Sequence, residues 1–215
     1  MIKAVFFDLD GTLLDTIKTI QNSGNFALSK LNLPLHDEES YRTFIGDGLK
    51  ILVKRMLANH YSENKAQEAC HFFTQYYSEN PTKNTKIFHG INQLLNKLKS
   101  EGYQLGVVTN KAENEAKLVI EAMFNNKFTI VKGIGANDLP KPNPKIIQDI
   151  IKPLHIKAEE LLYVGDLFVD KQTANNVGCH FCFVSWGYGK QFDTEYIIDK
   201  PIELLETIEK INGVK

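Results

Sequence analysis

Residues 4–13 read Ala4-Val5-Phe6-Phe7-Asp8-Leu9-Asp10-Gly11-Thr12-Leu13, and the order of residue types in that stretch decides the fold. An unbroken apolar run that ends at once in two carboxylates, a glycine and a threonine reads as a buried central strand. In an open α/β sheet the carboxyl end of such a strand is where ligands bind. Carboxylates this close repel each other unless a cation lies between them or one keeps its proton. Gly11 lets the backbone turn sharply and approach a ligand, and Thr12 offers a hydroxyl and an N–H to an anion. A strand followed by an ordinary Asx-type turn uses the same residues, so the rest of the chain has to separate a site from a turn.

The bulk numbers narrow the class. A chain of 215 residues holds one full core with a large insertion, or two modest domains. Hydrophobic content of 43% and charged content of 24% are ordinary for a globular protein. A formal net charge of −1 gives no reason to expect nucleic acid or an anionic membrane surface as partner. No apolar run approaches the roughly 20 residues of a membrane span. Asp8 and Asp10 interrupt the only early apolar run, so no signal-peptide pattern is expected either. Cys70, Cys179 and Cys182 form no disulfide framework, which points to a reducing cytoplasm. Cys179-His180-Phe181-Cys182 has the spacing of half a zinc site without a second half, and buried structural cysteines are the expectation there.

Periodicity divides the chain. From Asp15 to about Lys83 the pattern is helical throughout, with apolar positions at Ile17, Ile20, Phe26, Ala27 and Leu31, then Leu49, Leu52, Val53, Met56 and Leu57, then Phe72, Phe73 and Tyr76. This predicts an all-helical insert over 15–83, carried by an α/β core of residues 1–14 and 84–215. In that core, helices are predicted at 91–99, 114–124, from 144, at 171–177 and at 202–211. Strands are predicted at 104–108, 128–131, 161–164 and 181–184. Alternating strands and helices imply right-handed crossovers and a Rossmann-like parallel sheet.

Polar residues collect where those strands end. Asp8 and Asp10 follow the first, Thr109-Asn110-Lys111 follows Val107-Val108, and Gly165-Asp166 follows the strand at 161–164. Lys141 sits among prolines just before a helix. In a parallel sheet these ends share one edge. Carboxylates there suit a hard cation such as Mg²⁺, while a lysine, a threonine and backbone N–H groups suit phosphoryl oxygens. A carboxylate left free by the metal can attack phosphorus and another can shuttle a proton. Together these parts describe a phosphoryl-transfer site.

At these positions the sequence resembles the haloacid dehalogenase superfamily over nearly its whole length. Asp8-Leu9-Asp10-Gly11-Thr12 looks like its first motif, Thr109 its second, Lys141 its third, and Gly165-Asp166 with Asp170 its fourth. The insert resembles a type 1 cap. Phe44-Ile45-Gly46-Asp47-Gly48, Val107 to Lys111 and Trp186-Gly187-Tyr188-Gly189 look most like phosphoglycolate phosphatases. The resemblance implies that Asp8 is the nucleophile, forming a phosphoaspartyl intermediate, and that Asp10 serves as general acid and then base. It implies Mg²⁺ held by Asp8, the carbonyl of Asp10 and Asp166, phosphoryl oxygens held by Thr109 and Lys141 with Asn110 beside them, and Asp170 supporting Lys141. Gly11 and Thr12 join the expected substrate-binding set. Leu167 departs from the family pattern, which commonly has Ser or Thr there; Val169 and His89 depart as well.

The insert also carries Lys50, Lys54 and Arg55 on a predicted helix after Gly46-Asp47-Gly48. These either form a solvated basic face or let Arg55 meet the carboxylate of a small acidic substrate when the cap closes. The expected activity is hydrolysis of a small phosphorylated metabolite, 2-phosphoglycolate first, by a monomer or homodimer. A pyrophosphatase, a nucleotidase or a sugar-phosphate mutase is possible on the same scaffold. A phosphorylatable receiver-like protein or a pseudoenzyme is the non-enzyme alternative.

Overall fold

All four residues of β1 (Ala4–Phe7) are buried, as a strand with helices on both its faces requires. The computed structural model describes residues 1–213. After β1 come β2 (Leu14–Asp15), then α1 (Ile17–Lys30), α2 (Glu38–Phe44), α3 (Leu49–Leu57) and α4 (Glu63–Glu79). The chain continues through β3 (Lys86–Ile87), α5 (Ile91–Ser100), β4 (Gln104–Ala112), α6 (Glu113–Phe124), β5 (Ile130–Ile134) and α7 (Lys145–Ile151). It closes with β6 (Leu161–Gly165), α8 (Phe168–Val177), β7 (His180–Val184), β8 (Tyr196–Ile198) and α9 (Glu203–Asn212). Among the described residues no helix is long and apolar enough to cross a membrane.

Six strands form one parallel sheet in the order β5-β4-β1-β6-β7-β8. The order runs outward from β1 in both directions, so the crossovers diverge at β1 and open a crevice at its carboxyl end. Register sets the depth of that crevice: Phe7 lies level with Val107 on one side and Val164 on the other. Asp8, the residues after Val108 and Asp166 therefore emerge at one height. Side chains of β1 alternate as the pleat demands. Val5 and Phe7 join the core under α5, α6 and α9, while Ala4 and Phe6 join the core under α7 and α8.

The helices α1 to α4 form a layer over the crevice, packed around Tyr41, Val53, Met56, Phe73 and Tyr77 in an apolar cluster that continues into the core under β1. Its two connections to the sheet pair as a short antiparallel ribbon, Leu14 with Ile87 and Asp15 with Lys86. The ribbon, α2 and β8 are absent from the sequence reading, because strands of two or three residues give no periodicity to detect and α2 buries only Tyr41. What starts α2 is a local signal: Asp37 Oδ1 accepts from the N–H of Ser40 at 2.9 Å. β4 runs to Ala112 rather than stopping at Val108, with a register shift against β5, so Thr109, Asn110 and Lys111 belong to the strand. Predicted 128–131 is found as Ile130–Ile134, and predicted 171–177 begins a turn earlier at Phe168. Cys182 is buried in β7 and Cys179 half-buried before it, both as free thiols.

Gly24 marks the tightest approach inside the helical layer. A Cβ there would overlap the ring of Tyr41, whose hydroxyl lies in the buried interior. Gly24→Ala should therefore destabilise the protein by about 1–3 kcal/mol through overpacking, against the ~1 kcal/mol that alanine gains in a helix interior. Urea denaturation reads the difference; a midpoint equal to wild type would show that the Tyr41 ring simply moves aside.

Candidate active site

Lysine is rarely buried without partners, and Lys141 is buried with three. Its ammonium donates to Asp8 Oδ1 at 2.8 Å, to Asp170 Oδ1 at 2.7 Å and to the Tyr163 hydroxyl at 3.0 Å. That uses every proton it has. Tyr163 passes its own proton on to the carbonyl of Val108 at 2.8 Å. Burial would push the lysine down, but Asp170 and Asp8 more than reverse this and hold it well above its ordinary value. The backbone of Lys141 is fixed by Asn110, which accepts from its N–H at 2.7 Å and donates to its carbonyl at 3.3 Å. The second amide proton of Asn110 goes to the carbonyl of Gly46 in the helical layer, at 2.9 Å.

Asp8, Asp166 and Asp170 offer carboxylate oxygens that lie within 4.8 Å of one another, all buried. Both oxygens of Asp170 are committed, one to Lys141 and the other to the N–H of Leu167 at 3.0 Å. Asp166 accepts the Thr12 hydroxyl at 3.0 Å and the N–H of Tyr188 at 2.7 Å. Burial raises the Asp8 carboxyl to about 6, opposed by Lys141 and assisted by Asp170. Burial, then Asp170 and Asp8, pushes Asp166 well above the carboxylate range. Three buried carboxylates and one ammonium leave an excess of negative charge, and the donors are all oxygen. Asp8 and Asp166 fit a hard divalent cation such as Mg²⁺, because an oxygen that accepts one hydrogen bond keeps a second lone pair, while Asp170 serves the Lys141 ammonium.

Asp10 stands apart from that cluster. Lys111 Nζ bridges both its oxygens at 2.9 and 3.1 Å, and the same ammonium lies 4.7 Å from the ring centroid of Tyr77. Thr109 is buried beside them and, with Asp8, Asp10, Lys111, Lys141 and Glu115, floors a cleft of about 70 Å³. The helical layer roofs it with Ile20, Ile45, Leu49, Leu52 and Phe73.

Six of the predicted positions thus share the crevice: Asp8, Lys141, Asp166 and Asp170 in one buried cluster, with Asp10 and Thr109 beside it on the cleft floor. Others sit differently from the sequence reading. Asn110 reaches the cleft wall, yet its amide is spent on Lys141 and Gly46. Thr12 is fully buried with its hydroxyl on Asp166, and Gly11, at φ +90°, leaves space that any Cβ would take from Asp166. Neither lines the cleft. Arg55 stays outside it, its guanidinium held by Asp47 at 2.5 Å and the carbonyl of Phe44 at 2.9 Å. Leu167 packs where a Cβ on Gly46 would fall, 2.6 Å from its Cδ1, so this residue seats the helical layer. Tyr163 carries no site role in the sequence reading, and Lys111 and Tyr188 enter it only within the stretches Thr109-Asn110-Lys111 and Trp186-Gly187-Tyr188-Gly189. A tyrosine inside an otherwise aliphatic strand, as in Leu161-Leu162-Tyr163-Val164, is a usable signal, since its hydroxyl must find a partner.

Asp8 ties the site to stability. With its folded value near 6 and an ordinary value of 3.8, the folded state holds this proton more firmly than the unfolded chain. That contribution is complete below 3.8 and is lost as pH rises through 6. Asp8→Asn should then raise the stability of the ion-free protein above pH 6 by on the order of 1–3 kcal/mol, with the gain vanishing in acid. Thermal unfolding across that pH range is the measurement, and a gain that grows in acid would contradict the assignment.

Residues 5–184 match the family model of the haloacid dehalogenase-like hydrolases. The phosphoglycolate phosphatase of Nitrosospira multiformis is 32% identical over 224 residues, covering 97% of this chain and 96% of that one. That of Nitrosococcus oceani is 31% identical and covers 93% of each. The crystal structure of a predicted phosphoglycolate phosphatase from Haemophilus somnus aligns over 96% of this chain and 98% of its own, at 26% identity and a TM-score of 0.90. An acidic cluster at the end of the first strand and a match that runs from that strand to β7 lead to one conclusion: the chain belongs to the haloacid dehalogenase-like hydrolases and is phosphoglycolate phosphatase-like.

Proposed function

We propose that the protein is a Mg²⁺-dependent phosphatase that hydrolyses a small phosphorylated metabolite through a phosphoaspartyl intermediate, with 2-phosphoglycolate as first candidate. The observation that carries this is Asp8, held at the head of the cleft by Lys141 through one oxygen only, with Asp10 beside it. Asp8 and Asp166, with the carbonyl of Asp10, would hold the cation. When bound, it offsets the repulsion between a phosphate dianion and the Asp8 carboxylate.

The residues of the chain do the rest. Lys141 offsets the phosphoryl charge from its place beside Asp8, and the Thr109 hydroxyl receives a phosphoryl oxygen. The oxygen of Asp8 that Lys141 leaves free forms a bond to phosphorus as the ester oxygen departs. That oxygen takes a proton from Asp10. Asp10, now a carboxylate, then removes a proton from water as the water oxygen attacks the phosphoaspartate; the phosphorus–Asp8 bond breaks and phosphate is released. Lys111 Nζ holds both oxygens of Asp10 and so fixes the direction in which that carboxyl meets the leaving group and the water. Splitting the reaction in two lets one buried group serve alcohol and water in turn.

The leaving-group side of the cleft is roofed by Ile20, Ile45, Leu49, Leu52 and Phe73, apolar side chains that suit a small, weakly polar leaving group. The helical segment 15–83 acts in this reading as a cap that excludes water during transfer. Arg55 is held by Asp47 and Phe44 outside the cleft, and this reading takes Lys111 as the cation on the leaving-group side.

Phosphate release from 2-phosphoglycolate, pyrophosphate, nucleotides and sugar phosphates tests the reading. Fast Mg²⁺-dependent release is expected from the two-carbon ester, none from Asp8→Asn, and a ~10²–10⁴-fold drop in Asp10→Asn. Transfer to a second hydroxyl without free phosphate would replace the phosphatase with a mutase.

A further inference from the structure

The first amides of a helix need acceptors, and α1 has none of its own: Thr16 makes no side-chain cap and no acid stands in the first turn. The acceptor comes from far along the chain. Tyr188 Oη accepts from the N–H of Thr16 at 2.6 Å and of Ile17 at 3.0 Å, and donates its proton to Asp15 Oδ1 at 3.0 Å. One proton and two lone pairs are all a phenol has, so the hydroxyl is saturated. Asp15 lies in the ribbon and Ile17 opens the helical layer, so this is the point where that layer is rooted.

The same residue reaches the acidic cluster with its backbone, through its N–H on Asp166 Oδ2 at 2.7 Å. Gly187 and Gly189 flank it, and a Cβ on either would overlap Asp166, so the loop wraps that aspartate at backbone distance. Arg42 of α2 lies over the ring, 5.2 Å from its centroid. Trp186 anchors the loop by donating Nε1–H to the carbonyl of Thr12 at 3.1 Å.

We propose that Tyr188 is a positioning residue that couples occupancy of Asp166 to the root of the helical layer: its peptide follows the Asp166 carboxylate and its phenol carries that position to Asp15, Thr16 and Ile17. The proposal rests on the reading of Asp8 and Asp166 as a cation site. The Asp166 carboxylate, already oriented by Thr12, would be held more tightly with a cation on it, and with it the Tyr188 peptide and the first turn of α1. Closure is then favoured when the site is charged and ready.

Amide hydrogen exchange of the full chain, with and without Mg²⁺, tests this, with calorimetry of Mg²⁺ binding in parallel. In wild type, Mg²⁺ should slow exchange at Thr16 and Ile17 by about tenfold, the worth of roughly one hydrogen bond. In Tyr188→Phe both amides should exchange fast in either condition, while calorimetry still shows Mg²⁺ bound, because the N–H on Asp166 remains. Binding without protection in wild type, or protection that survives in the variant, overturns the coupling. Absence of any Mg²⁺ binding to wild type overturns the cation reading itself. The wild-type comparison decides the matter even if the variant folds poorly.

Discussion

Everything at the crevice depends on one buried ammonium. Lys141 gives its three protons to Asp8, Asp170 and Tyr163, drawing β1, the start of α8 and β6 to a single point. Removing that ammonium would leave the Asp8 and Asp170 carboxylates buried with no cation and no solvent to receive them, which costs far more than the pairs contribute. The geometry is thus over-determined. Asp8 keeps a fixed direction with one oxygen still free, because its neighbours cannot relax without stranding a charge.

That point is held from outside by neutral groups. Asn110 clasps both backbone atoms of Lys141 and reaches the carbonyl of Gly46, so the loop bearing the lysine and the roof of the cleft share one amide. Gly11 leaves the space that Asp166 fills, and Thr12 orients it. These contacts are what allow acids to crowd together at a level where repulsion alone would spread them.

The parallel sheet and the acidic edge were legible because they depend on patterns a sequence displays: an apolar run closed by Asp8, repeated strand ends at Val108 and Val164, and helical spacing through the insert. What escaped has physical causes. Asn110 and Thr12 are chemically suited to a ligand, but burial spent their hydrogen bonds on the protein. Arg55 found Asp47, eight residues away, and no periodicity reveals such a pairing. Polar Thr109-Asn110-Lys111 resembles a loop in sequence, yet it continues β4 because every one of its polar groups has a partner nearby. Tyr188 acts across more than 170 positions on groups that leave no local trace.

The two-residue ribbon has a consequence for how such a molecule is assembled. Leu14 and Ile87 are partners, so the long helical excursion leaves and returns at the same spot. To the sheet it is a hairpin turn that happens to contain four helices. An insertion whose ends already meet adds little closure entropy to its host. The excursion can therefore vary in length away from its root while the strands beneath keep their register, so what reaches the sheet edge can change without rebuilding the sheet.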